Sequence, residues 1–233
     1  MTQQEYDYMR RLPLVLHLPS LHTHVVHAGI LPADPTKNLH SPKQPLSHLP
    51  LGIPLTEDNV EQIRTIQEQS ILHDVPQNTK AWNKLNIRDV LRKGGVSRKA
   101  GSGTPWSHIW NEVMELCHGF EPHSNDQRRR LRFERDDEDL PDGLLNELDE
   151  LKKKPLPCHP SSVIYGHSAG RGLDLKRWSQ GLDTGCVYGR KLTAMLIGDH
   201  KSKGIDEAGG EEEIEEFRYG DTQKARLVSI SCA

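Results

Sequence analysis

Residues 121–154 carry "RRRLRFERDDEDLPDG" and close in "KKK", and these side chains cannot enter an apolar core. Charges of both signs crowd the stretch, and its few apolar residues cannot offset the entropy of ordering the backbone. It is therefore expected to be a charged, disordered insertion. Residues 198–224 set a second limit. They include "EEEIEE" and are far longer than the roughly 2–5 residues of an ordinary hairpin loop, so an acidic, flexible loop is expected there. What folds must be assembled from the remaining segments. The 233 residues suffice for one domain, but 34% hydrophobic residues and a mean hydropathy of -0.68 indicate a partly disordered one.

Lys and Arg number 30 against 33 Asp and Glu, giving a net charge of -3. Without a global basic field, nucleic-acid binding is not expected, and any anion site has to be local. No run approaches the roughly 20 apolar residues that span a bilayer, and "MTQQEYDYMRRLPLVLHLP" lacks the pattern of a signal peptide. No membrane segment is expected, and the chain reads as cytoplasmic. Cys117, Cys158, Cys186 and Cys232 form no C-x-x-C pair, which argues against a zinc ribbon and a dense disulfide framework and leaves a single bridge open.

Thr2 and Glu5 have capping-box spacing, and Tyr6, Met9 and Leu12 follow at helical intervals until Pro13. Residues 14–18 and 21–27 read as short strands divided by Pro19. Residues 34–54, dense in Pro, Ser and His, read as irregular chain, and residues 56–72 as a helix through Val60, Ile63 and Ile66. In "SGTPWSHIWNEVMELCHG", Thr104 is the expected N-cap, Pro105 occupies the first turn and Gly119 follows the end. Trp106, Ile109, Trp110, Val113 and Cys117 form its apolar face, expected in the core. "SVIY" reads as a strand, as do residues 192–197 and 226–230.

"GHSAG" after "SVIY" matches the G-x-S-x-G pattern of serine hydrolases, with Ser168 as nucleophile. That pattern requires a helix after the serine and an acid and then a histidine further along. Here Arg171, Gly172, Gly181 and Gly185 interrupt the following segment, "LDLKRW" alternates like a strand, and only His200 follows Ser168. The rival centre is a pair of histidines, each ending an expected strand and each followed by a glycine-containing turn: His27 in "HVVHAGILP" and His167 in "VIYGHSAGRGL". Carboxyl ends of strands are where α/β-type sheets collect their sites. By strand parity His22 and His24 share one face while His27 goes with Val25 on the other, so His22 and His24 are read as exposed imidazoles rather than ligands.

"VVHAGILP" and "YGHSAGRGLDLKRWSQGLDTGCVYGRKLTAMLI" resemble the last two signature blocks of the calcineurin-like metallophosphoesterases. The resemblance is to the branch of symmetrical dinucleoside tetraphosphatases and fungal endopolyphosphatase-type phosphatases. It implies an α+β fold, a partial calcineurin-like β-sandwich flanked by helices and broken by disordered insertions. It also implies two divalent ions, Zn, Mn or Fe, in a complete member, with His27 and His167 as metal ligands. Arg171 is a candidate substrate-binding residue, and Asp34 and Asp183 are secondary candidates as oxygen ligands. The implied activity is hydrolysis of phosphoester or phosphoanhydride bonds in polyphosphate, a dinucleoside polyphosphate or a phosphoprotein, by metal-activated water.

The family's upstream blocks, GDxHG, GDxxDRG and GNH with an acid, have no counterpart here, so the match corresponds to a C-terminal half. Two histidines are fewer than the three protein ligands of a typical catalytic zinc, so the chain alone is expected to be weak or inactive as a catalyst. A catalytically inactive binding remnant of the fold and a serine hydrolase using Ser168 are the alternatives. A vacuolar location becomes the alternative to the cytoplasm if an N-terminal anchor precedes this sequence.

Overall fold

The capping box at the start of the chain forms as its spacing predicts. The Glu5 carboxylate accepts from the Thr2 N–H at 2.6 Å and the Thr2 hydroxyl oxygen accepts from the Glu5 N–H, opening α1 (Gln3–Arg11). No residue of this helix is buried, so local capping and propensity sustain it without a packed face. The computed structural model describes residues 1–120, 154–198, 215–221 and 223–232. Apart from Lys154, the expected charged insertion at 121–154 lies outside the described residues, as do residues 199–214 of the expected acidic loop.

β1 (Val15–Leu18) and β2 (Thr23–Val26) pair antiparallel through a 3-10 turn at Pro19–Leu21. The second strand is shorter than the expected 21–27 because His22 takes a left-handed backbone at the end of that turn. Residues 34–54 contain no helix or strand, as expected. α2 (Val60–Asp74) follows a 3-10 turn at Glu57–Asn59, and α3 (Ala81–Asn86) leads into a small sheet with order β4-β3-β5. Its strands are β3 (Asp89–Val90), β4 (Val96–Ser97) and β5 (Thr104–Pro105).

β5 displaces the helix start that the sequence suggests. Thr104 is drawn into pairing with Val90, so Pro105 becomes the N-cap of α4 (Trp106–Met114). The helix also stops short of Gly119. The Leu116 carbonyl accepts from the Leu156 N–H, the Gly119 N–H donates to the Cys158 carbonyl, and a disulfide joins Cys117 to Cys158. These long-range partners capture the backbone before another helical turn can form. The apolar stripe is core as expected: Trp106, Trp110, Val113 and Cys117 are buried and Ile109 packs beside them.

The five-stranded sheet has the order β1-β2-β6-β8-β7, from β6 (Ser162–Tyr165), β7 (Asp174–Leu175) and β8 (Ser179–Gly181). β2, β6 and β8 run parallel, with antiparallel strands at both edges. α4 packs near its centre. Trp106 meets the Tyr165 ring edge-on at 4.7 Å, Trp110 Nε1–H donates to the Ser161 carbonyl at 3.1 Å, and Asn111 accepts from the Trp178 N–H at 2.7 Å. Gly29 makes room for this helix, since a Cβ there would stand 2.3 Å from the Trp106 ring.

A third sheet, β10-β11-β9, is antiparallel: β9 (Lys191–Ile197), β10 (Glu215–Tyr219) and β11 (Gln223–Ser231). The expected acidic loop at 198–224 therefore includes a strand. Acidic and aromatic residues alternate poorly there, and pairing with β11 supplies the order that local pattern does not. Tyr219 is buried, and its hydroxyl lies 2.6 Å from the Thr23 hydroxyl of the larger sheet. The fold class is α+β.

All four cysteines are bridged, Cys117 to Cys158 and Cys186 to Cys232, where the sequence left room for one bridge only. The expectation of exposed imidazoles at His22 and His24 is also overturned. His24 is fully buried, and His22 Nδ1 and His17 Nε2 lie 2.9 and 2.7 Å from the two carboxylate oxygens of Glu68 on α2. Strand parity identified the shared face but not the buried carboxylate beneath it.

Candidate functional site

Parallel pairing of β2 with β6 sets Val26 opposite Tyr165, and the Gly166 N–H continues the ladder by donating to the His27 carbonyl at 2.9 Å. Two adjacent strands thus end at one level. Each delivers a histidine into the turn that follows it, and His27 Nε2 stands 3.1 Å from His167 Nδ1. The sheet brings together two residues 140 positions apart.

His167 has a backbone φ of 63°, a left-handed conformation that costs a non-glycine residue free energy and persists only where surroundings enforce it. The enforcing group is Arg88. Its guanidinium donates to the His167 carbonyl at 3.0 Å and to the Arg98 carbonyl at 2.7 Å, so one planar fork spans two loops. Burial, the Arg88 charge and His27 lower the His167 pKa below the usual histidine value, against the opposing effect of Asp183. Neutral imidazole, the metal-ligating form, is favoured.

The residues present can be tested against the metal implied by the resemblance. Two nitrogens on one ion at bonds of about 2.0–2.1 Å stand roughly 3 Å apart, as these do. His167 Nε2, the ring nitrogen that does not face His27, is buried and has no hydrogen-bond partner among the described residues, so it lends no support to an ion between the two rings. By their separation, the two facing nitrogens fit two positions on one ion. They do not fit a dinuclear centre, because the described residues contain no group of three or more His, Cys, Asp or Glu placed to hold a metal.

Asp183 belongs to this neighbourhood: its Cβ lies 3.9 Å from where a Cβ on Gly166 would be, and its charge acts on His167. Its Oδ1 accepts from the Gly185 N–H at 3.2 Å. Asp34 is otherwise engaged, in a closed set with Thr36, Lys37 and Gln77. Burial raises its pKa, but those hydrogen bonds outweigh burial and hold it well below the ordinary carboxylate range, with both carboxylate oxygens engaged inside the set. Arg171 lies 3.3 Å from the Asp174 carboxylate and lines the same groove as His167.

Ser168 lacks the context of a nucleophile. Its hydroxyl makes no hydrogen bond to an imidazole among the described residues, and a turn leading to β7, not a helix, follows it. The left-handed residues of the turn are His167 and Gly172, not Ser168.

The sequence reading missed Arg88, Arg98 and Lys99. A signal was available, for no Asp or Glu occurs from residue 90 to residue 111 while Arg92, Lys93, Arg98 and Lys99 do, in a chain of net charge -3.

No family model matches the chain, and no curated protein matches it. Among solved structures it is similar to a crystal structure provisionally described as a diadenosine tetraphosphatase, at 17% identity and a TM-score of 0.38, covering 83% of this chain. The chain spans 50% of that protein's length. A likeness this slight leaves the functional reading to the residues themselves.

Proposed function

We propose that this chain supplies part of the metal shell of a metal-dependent hydrolase acting on phosphoester or phosphoanhydride bonds, the chemistry implied by the calcineurin-like motifs. The observation that carries the reading is the 3.1 Å approach of His27 Nε2 to His167 Nδ1 at the ends of adjacent parallel strands. A bound divalent ion, Zn, Mn or Fe by the preference of imidazole, would lower the pKa of a coordinated water and stabilise charge on the phosphoryl group. His27 and His167 would hold it. Arg88 fixes the His167 turn, and Arg171 beside it would receive the phosphorylated substrate, whether polyphosphate, a dinucleoside polyphosphate or a phosphoprotein.

Titration of the 233-residue chain with Co(II) tests this. One ion per chain is expected, with binding lost in His27→Ala and in His167→Ala and retained in Ser168→Ala. Absence of binding, or binding indifferent to both histidines, overturns the reading.

The second reading, a non-catalytic binding remnant, is favoured by the lack of a third metal donor among the described residues. Hydrolysis of p-nitrophenyl phosphate separates the two. Turnover stimulated by Mn or Zn and lost in His27→Ala would establish a catalyst, with Asp183 the first carboxylate to substitute; metal binding without turnover would establish the remnant.

A further inference from the structure

Residues 1–16 carry an apolar surface that the described residues do not cover. Of the sixteen large apolar side chains that stand exposed among the described residues, seven lie within this stretch. They are concentrated at one place, unlike the single exposed apolar residues usual on a protein surface. α1 buries none of its nine residues, and isolated helices shorter than roughly 12–15 residues are marginal in water. Its capping box favours the helix, and a contact on its apolar side would stabilise it further.

The order of residues in α1 says which contact fits. Tyr6 and Met9, exposed at 46% and 58%, lie three positions apart on one side of the helix. Glu5 stands four positions before Met9 and Arg10 four after Tyr6, so both charges belong to that same side. The Arg10 guanidinium lies 5.8 Å from the centre of the Tyr6 ring and makes no ion pair among the described residues. Consider a second copy of the helix, antiparallel and related by a two-fold axis passing between residues 7 and 8. Each residue then meets the one equally far beyond the axis, so Tyr6 faces Met9 of the copy and Glu5 faces Arg10 of the copy, each contact occurring twice. The helix is complementary to itself in both its apolar and its charged residues. A lipid surface fits it less well, because Glu5 would enter the apolar layer beside Met9 without a partner.

β1 continues the surface. It is an outer strand of the five-stranded sheet, and its residues "VLHL" include no Lys, Glu or Pro to guard the open edge. Leu16 is exposed on the strand face opposite His17, the residue that Glu68 of α2 engages.

We propose that residues 1–16 form the interface of a two-fold symmetric homodimer, in which α1 packs antiparallel on α1 of a second copy, Glu5 pairs with Arg10 across the axis, and the β1 edges lie at the margin. The assignment does not depend on metal binding or on the hydrolase reading.

Sedimentation equilibrium of the full chain over a dilution series tests it. The expected mass is twice 26.4 kDa, falling to 26.4 kDa on dilution. Glu5→Lys and Arg10→Glu each set like charges against each other in the symmetric pair, and each should weaken association by at least about tenfold. Mixing the two variants should restore the dimer, because each position 5 then faces a position 10 of opposite charge. Tyr6→Ser/Met9→Ser, which leaves the capping box intact, should also give a monomer. Leu51→Ser, at an exposed loop position, should leave the mass unchanged. A cooperative urea transition shows that each variant is folded. A monomer at every concentration, a dimer whose affinity none of the α1 variants changes, or mixed charge variants that stay monomeric would overturn the proposal. So would a monomer that binds phosphatidylcholine–phosphatidylserine vesicles and loses that binding in Tyr6→Ser/Met9→Ser, which would assign the same face to a membrane.

Discussion

The Arg88 guanidinium donates to the carbonyl oxygen of His167 at 3.0 Å, across 79 positions of sequence, and holds that residue in a left-handed turn. A loop carrying an imidazole is therefore positioned by a side chain that is not itself a candidate ligand.

Removing that support should loosen the imidazole without deleting it. Arg88→Ala is expected to lower Co(II) affinity by roughly 10–100-fold, the effect of losing a group that orients a ligand. Arg88→Lys should recover little, because an ammonium cannot reproduce the fork that reaches two carbonyls. The visible absorption of bound Co(II), followed by titration, provides the readout, and unchanged affinity in Arg88→Ala would remove Arg88 from the site.

Ser168 should not react as a serine-hydrolase nucleophile. A fluorophosphonate probe is expected to leave it unlabelled, since no imidazole is hydrogen-bonded to its hydroxyl among the described residues to take the proton. Stoichiometric labelling at Ser168 by mass spectrometry would reinstate the nucleophile.

Acid should destabilise the fold through the buried histidine cluster. Burial, reinforced by the nearby His17 charge, lowers the His24 pKa to about 4, so the native state binds fewer protons than the unfolded state between there and the ordinary histidine value. Stability from this group is complete above about pH 6.5 and is lost as pH falls toward 4, in total on the order of 3 kcal/mol. Glu68 extends the loss. Burial would raise its pKa, but hydrogen bonds from His17 and His22 outweigh it and bring it to about 2, so its contribution disappears below the ordinary glutamate range. Urea midpoints at pH 7 and pH 4.5 measure the slope, which should flatten in His24→Gln.

The two disulfides should differ in reducibility. Cys117 and Cys158 are buried at 6% and 0% exposure, while Cys186 and Cys232 are only half-buried. Under mild dithiothreitol, alkylation should reach Cys186 and Cys232 first. The paired substitution Cys186→Ser/Cys232→Ser should cost about 2–4 kcal/mol in denaturant unfolding, since it frees a loop of sequence separation 46.

The sequence by itself determined the features whose causes are local. Thr2 and Glu5 form their capping box, "SVIY" forms β6, the stripe from Trp106 to Cys117 is core, and His27 and His167 each follow the end of a strand. Caps and apolar periodicity act over a few residues and are legible there. Only the tertiary structure decided which strands are neighbours, and with that the 3.1 Å meeting of the two histidines. It also placed His17, His22 and His24 around Glu68, engaged Asp34 with Lys37, paired the four cysteines, and joined the residues around Arg98 to those around His167 through Arg88. Each of these is a choice among partners that the chain offers in excess: 13 histidines, 33 acids and 30 bases permit many pairings. Electrostatics and hydrogen bonding select among them only after strand order and helix packing have fixed which groups share a desolvated space.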